Sequence, residues 1–107
     1  MTDTELIFID FNNPDLEVLQ VVSQPTRLKI LHTLTRTKKV YASSLAEELG
    51  LERKITSFHL NALEKVDLVK SEFGLTKDKR PAAVRYYEIT PKGTEILEKI
   101  SEILKRK

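Results

Sequence analysis

A chain of 107 residues, 40% apolar and 32% charged, has the length of one domain and the composition of a soluble globular protein. It has no cysteine, which excludes a disulfide framework and thiolate metal or redox chemistry. It also lacks a signal-like N-terminus and any apolar run of the roughly 18 residues a membrane helix needs, so a cytoplasmic location is expected.

The net charge of +2 is unevenly spread. Residues 1–24 hold five acids and no Lys or Arg, which leaves 18 basic and 11 acidic residues, a net of +7, in the remainder. A basic body suits a polyanionic partner such as nucleic acid. A solvated mixed-charge surface would give the same count.

In chain order, "ELIFIDF" (5–11) reads as a short strand or extended arm. In "NNPDLEVLQVV", Asn13 stands where a helix cap belongs, with Pro14 at the first helical position. A second helix restarts at Pro25 in "QPTRLKILHTLTR" and places Leu28, Leu31 and Leu34 on one side. Arg27 falls inside that apolar arc, where its stem is expected to lie on the core and its head to pair with a carboxylate or a helix end. "YASSLAEELG" offers a serine cap, with Glu47 three residues after Ser44 in capping-box spacing and Gly50 as the stop. "LERKITSFHLNALEKVDLV" is the longest periodic segment and runs helically to about Val66.

The pattern then turns to strand. "LVKSEFG" and "AAVRYYEI" flank the basic, proline-ended "LTKDKRP", which predicts a hairpin with a long tip. Tyr86 and Tyr87 alternate across the second strand, and Tyr87, sharing a face with Ile89, is expected inward. Thr90-Pro91 opens a last helix with Ile96, Leu97, Ile100, Ile103 and Leu104 as its apolar stripe.

A short helix, a glycine turn and a second helix make a helix-turn-helix, and a basic hairpin directly after it is a wing. The expected fold is mainly α with a small β-hairpin: a single winged helix-turn-helix domain. Residues 1–24 would be an arm and first helix, 25–90 the winged-helix core and 91–107 a C-terminal dimerisation helix. Ile96, Ile100, Ile103 and Leu104 would seal a two-fold dimer there, extended by the arm Leu6–Phe11.

On a wheel of about 100° per residue, Ile55, Thr56, His59, Leu60, Ala62, Leu63 and Val66 fall in the core arc of the long helix. Lys54, Ser57, Phe58, Asn61 and Lys65 face outward, with Arg53 at the edge. That outward face has major-groove chemistry. Arg and Lys donate to guanine or phosphate, Asn pairs with adenine, and an apolar ring lies against thymine methyls. At the wing tip, Lys77, Lys79 and Arg80 are placed for phosphate or minor-groove contact, Arg80 being the best suited to a narrow groove. His32 and His59 lack partners for a metal site, and Ser57 and His59, two apart on a helix, do not face each other as nucleophile and base. An enzyme is therefore not expected, nor a cofactor.

The stretches "QPTRLKILHTL", "SSLAEELGLERKITSFHLNALEKVDLV" and "VRYYEITPKG" resemble the winged-helix regulators of the ArsR type (arsenic-repressor-like), particularly their archaeal relatives, over about residues 16–93. The resemblance implies a homodimeric DNA-binding regulator of transcription, and the expected mode of action on double-stranded DNA is operator occupancy. It implies Ser43 and Ser44 near a phosphate, Arg53, Lys54, Ser57 and Phe58 at base-reading positions, and Lys77, Lys79, Arg80 and Arg85 in the wing. Three departures stand out: "KKVYASSL" lacks the cysteine pair of the metal-sensing members, the last helix has no histidine, and Asp67 replaces the common glycine after the recognition helix. Metal sensing is accordingly not expected. The competing reading is a winged-helix protein-interaction module that presents Phe58 to a protein partner.

Overall fold

Helices in this chain begin and end where local chemistry satisfies their free backbone groups, and the sheet takes what lies between. The computed structural model describes residues 7–105. Five helices and three strands follow in order: α1 (Asp15–Val22), α2 (Pro25–Leu34), β1 (Val40–Tyr41), α3 (Ala42–Leu49), α4 (Arg53–Lys65), β2 (Val69–Leu75), β3 (Ala83–Ile89) and α5 (Pro91–Leu104). This is the winged helix-turn-helix arrangement, mainly α with a small antiparallel sheet.

The Asn13 side chain accepts the Asp15 N–H at 2.8 Å, and Pro14 already has helical angles, as the sequence led us to expect. Gly50 ends α3 at φ 69°, in the left-handed region where a side chain is strained, and Leu51 N–H reaches back to the Ala46 carbonyl at 2.9 Å. Asp67 takes the same left-handed role after α4, at φ 65°, with Leu68 N–H on the Leu63 carbonyl at 3.0 Å. Thr90 caps α5 by accepting the Gly93 N–H at 3.0 Å, and Pro91 opens the helix.

Four expectations need correction. Ser44 caps nothing: Tyr41, extended by its pairing in β1, is the N-cap of α3, so Ser44 already lies inside the first turn and no capping box forms. The wing is not two-stranded alone. β1 pairs with β3 (Val40 opposite Tyr87, Tyr41 opposite Tyr86), giving the order β1-β3-β2. A two-residue strand is too short to show any alternation in sequence. Residues 7–11 form no strand; Asp10 instead starts a turn, accepting Asn13 N–H on its carbonyl and Asn12 N–H on its carboxylate. The rest of the proposed arm, Glu5 and Leu6, lies outside the described residues, as do residues 106–107. Finally, Ile55 is exposed although Thr56 beside it in the same turn is fully buried, so the covered arc of α4 is narrower at its start than the wheel implies.

The core is built from all layers at once: Ile30, Leu31 and Leu34 of α2, Leu45 of α3, Leu60 and Leu63 of α4, and Leu68 and Val69 at the root of the wing are fully buried. Tyr87 is buried on the inner face of β3 as expected, while Ile96, Leu97 and Ile100 of α5 lean on this core from outside. Ile103 and Leu104 reach beyond it, each 68% exposed. Among the described residues no helix is long and apolar enough to cross a membrane.

α5 meets the root of the wing at Gly93, where an added Cβ would stand 2.2 Å from the Leu68 carbonyl oxygen. Gly93→Ala should therefore lower stability by about 1–3 kcal/mol through overpacking against rigid backbone. Urea unfolding measures it, and an unchanged midpoint would show that α5 can slide away at no cost.

Candidate nucleic-acid interface

Burial fixes how α4 is turned. Thr56, Leu60 and Leu63 are buried on its inner side, and Thr56 Oγ1 donates to the Glu52 carbonyl at 2.9 Å, so its hydroxyl is satisfied within the helix. The opposite side is then necessarily outward. Phe58 is 65% exposed, and Arg53, Lys54, Asn61 and Lys65 are exposed with it, while Ser57 is half-buried.

Phe58 nevertheless has a support. The Arg27 guanidinium lies 5.8 Å from its ring centroid, and His59 packs edge-on at 5.7 Å. Arg27 itself is 6% exposed; its Nε donates to His59 Nδ1 at 3.0 Å and its Nη1 to the Val21 carbonyl at 3.2 Å, at the end of α1. Arg27 is expected on the core, paired with a helix end or a carboxylate. Its guanidinium meets the helix end, and a histidine instead of the acid.

The wing runs beside α4. Its strands pair from Val69 opposite Ile89 to Leu75 opposite Ala83, which sets Phe73 opposite Arg85. Arg85 shares the inner face of β3 with buried Tyr87 but lies farther out, beyond the core. Its guanidinium sits 5.0 Å from the Phe73 ring centroid. Thr76 closes the tip, donating its N–H to the Ala82 carbonyl at 2.9 Å and accepting the Ala82 N–H on its hydroxyl at 3.0 Å. Lys77, Lys79 and Arg80 are exposed beyond that closure.

Three shallow depressions gather most of the expected side chains. Arg53, Lys54, Ser57, Phe58 and Asn61 line one; Phe58, Asn61 and Lys65 meet Arg85 in a second; Ser43, Arg53 and Ser57 meet Arg85 and Phe73 in a third. Ser44 lines none of them, and the tip cations stand apart. Phe73 escaped the sequence reading, which left the face of its strand open; hairpin register, once known, is the signal that finds it.

The cations of this side take no part in charge pairing among the described residues. Five ion pairs form among the described residues: Arg36–Glu48, Lys39–Glu72, Lys70–Glu88, Lys92–Asp15 and Lys99–Glu95. None uses a cation of α4, of the wing tip or Arg85. In the Lys39–Glu72 pair, at 2.6 Å, mutual hydrogen bonding holds the lysine above and the carboxylate below its ordinary range. Glu64, which lines the second depression, accepts from Ser71 Oγ at 2.7 Å. The unpaired cations are thus left for an anion from outside. Among the described residues no three His, Cys, Asp or Glu side chains are grouped to hold a metal ion.

Residues 24–71, from the start of α2 into β2, match the sequence model of the family described as bacterial regulatory protein, arsR family. None of the curated proteins compared matches the chain. Among solved structures, the transcriptional regulator homologue from Pyrococcus horikoshii OT3 is similar at 26% identity and a TM-score of 0.65, over 83% of this chain and 90% of that one. YusO from Bacillus subtilis shares the fold at 21% identity and 0.67, over 80% of this chain and 58% of its own. A possible transcriptional regulatory protein from Mycobacterium bovis does so at 18% and 0.68, over 85% and 90%. The match takes in the helix-turn-helix and the start of the first wing strand of an arsR-like regulator, and the solved structures share its winged-helix fold.

His59 accepts from Arg27, so Nδ1 must be unprotonated. Burial first, and the neighbouring Arg27 charge second, hold its pKa below the ordinary 6.5. The unfolded chain then binds the proton more readily, so stability is full above about pH 6.5 and falls as the pH drops through that value toward the folded pKa. Thermal unfolding followed from about pH 7.5 to 5.5 should show this loss. In His59→Gln the slope should be shallower; an equal slope would assign the proton elsewhere.

Proposed function

We propose that this protein is a sequence-specific double-stranded DNA-binding regulator of transcription that acts as a homodimer by occupying its operator. One observation carries the reading. The outward face of α4 and the adjoining wing hold Arg53, Lys54, Lys65, Arg85 and the tip cations outside every ion pair formed among the described residues.

A helix fits the major groove and its first turns meet base edges. Arg53 and Lys54 stand in that first turn, with Ser57, Phe58 and Asn61 one turn on. Asn61 offers bidentate pairing to adenine, and the Phe58 ring an apolar surface for thymine methyls. Arg27 beneath Phe58 limits where the ring can go. The tip cations Lys77, Lys79 and Arg80 would follow the flanking backbone or minor groove, and Ser43 and Ser44 would lie near a phosphate at the start of α3.

The dimer rests on apolar surface that a lone protomer leaves uncovered. Ile103 and Leu104 of α5, Leu19 of α1 and Ile7, Phe8 and Phe11 of the preceding segment are all exposed. Such surface is costly in water and is relieved when a second copy covers it. Ile96 and Ile100 would complete the seam from the half-buried side of α5. A two-fold dimer would set its two α4 helices on half-sites about one helical turn apart.

Duplex affinity should fall steeply with salt, each phosphate neutralised adding about −0.9 to the log–log slope. Lys79→Ala or Arg80→Ala should weaken binding to all sequences and flatten that slope, whereas Phe58→Ala should act more strongly on a selected operator than on random duplex. A flat salt response in fluorescence anisotropy would instead favour a protein partner for the Phe58 surface.

Charged substitutions at both Ile100 and Ile103 should halve the sedimenting mass and weaken operator binding with it. A dimer of unchanged mass would move the interface away from α5.

A further inference from the structure

The third depression, of about 280 Å³, opens between the first turns of α3 and α4 and the inner face of the wing. Two arginines, Arg53 and Arg85, and two serines, Ser43 and Ser57, line it together with Phe73, Tyr41 and Tyr87. No lining residue is acidic, and neither arginine is in an ion pair among the described residues. Phe73 is the unexpected member. It is 75% exposed, so it contributes little to the core, yet it is held in place by the cross-strand Arg85 stacked on it.

The mixture of groups narrows the ligand. Guanidinium and hydroxyl donors suit a phosphate, for which arginine has the matching fork geometry. A free phosphate would leave the exposed ring without a partner. A base stacked flat on the ring would have to leave the duplex first. A backbone unit of duplex DNA offers both halves at once: an anionic phosphodiester, and a deoxyribose whose C–H face is apolar.

We propose that this depression seats one phosphodiester of the DNA backbone, its phosphate held by Arg53, Arg85, Ser43 and Ser57 and its deoxyribose packed on Phe73. The inference rests on the duplex-binding reading above and adds to it a backbone anchor where α4 and the wing converge. A contact of this kind fixes register on the duplex and carries no sequence information. It also moves Arg53 from base reading to phosphate binding.

The test uses the full chain, a duplex that the protein selects from a random pool, and a scrambled duplex of the same length, titrated by fluorescence anisotropy over a range of salt. Phe73→Ala should weaken binding to both duplexes alike, by about fivefold or more, because the lost contact is apolar and independent of base identity. Its salt slope should stay that of the wild type and its melting temperature should hold, since the ring is exposed. Phe73→Leu should recover most of the loss. Arg85→Ala should flatten the slope by about 0.9 for each protomer engaged. Wild-type affinity in Phe73→Ala would overturn the inference, as would a loss confined to the selected duplex, which would make the ring a base reader. Both leave the duplex-binding reading standing. If the wild-type protein binds neither duplex, that reading falls and takes the anchor with it.

Discussion

Thr90 holds three elements at one point. Its hydroxyl donates to the Asp67 carbonyl at 2.7 Å and accepts the Gly93 N–H at 3.0 Å, while its own N–H donates to the Leu68 carbonyl at 3.0 Å. The end of α4, the root of the wing and the start of α5 are thereby fixed to one another by a single residue. Thr90, Leu68 and Gly93 are buried, so their hydrogen bonds here also satisfy donors and acceptors held away from water. The angle between the face that carries the unpaired cations and the helix that carries the uncovered apolar stripe is set here. Asp67 makes the junction possible by taking the left-handed backbone that returns the chain from α4 into β2. Aspartate tolerates that geometry better than most side chains, though less well than glycine.

A second tie runs deeper. Arg27 joins the end of α1, through the Val21 carbonyl, to His59 and Phe58 on α4. A buried guanidinium is stable only when its donors are used, and here two of its contacts lie on different helices. The first helix, next to the exposed apolar segment, is in this way coupled to the outward ring through one side chain instead of through a chain of packed residues. Phe58 is exposed and yet not free: its ring has one open side and one cation beneath it.

Most of the fold was legible because its signals are local. Proline at the starts of α2 and α5, Asn13 ahead of α1, Gly50 after α3 and the basic tip between two β-rich runs each determine structure within a few residues of themselves. The outward face of α4 was legible for the same reason, since periodicity alone separates Leu60 and Leu63 from Phe58 and Asn61. What was not legible depends on neighbours distant in sequence. β1 exists only because β3 is there to pair with it, and that pairing, by extending Tyr41, removed Ser44 from the cap. Ile55 belongs to the apolar arc by angle, but its burial depends on which neighbours pack against that edge of the helix, and Thr56 takes the covered place. Phe73 became part of the candidate site through register with Arg85, which no single strand records.

The sheet has one further property. Tyr41 and Tyr86 meet edge-to-face at 5.6 Å, Tyr86 donates its hydroxyl to the Leu75 carbonyl at 2.9 Å, and Tyr87 is buried behind them. These are the only tyrosines in the sequence, and it has no tryptophan. The intrinsic near-ultraviolet emission of the whole protein therefore originates in β1 and β3, at the base of the wing. The helices are optically silent beside it. The molecule carries a native spectroscopic reporter where its core meets the hairpin, installed by the packing of the sheet and needing no label.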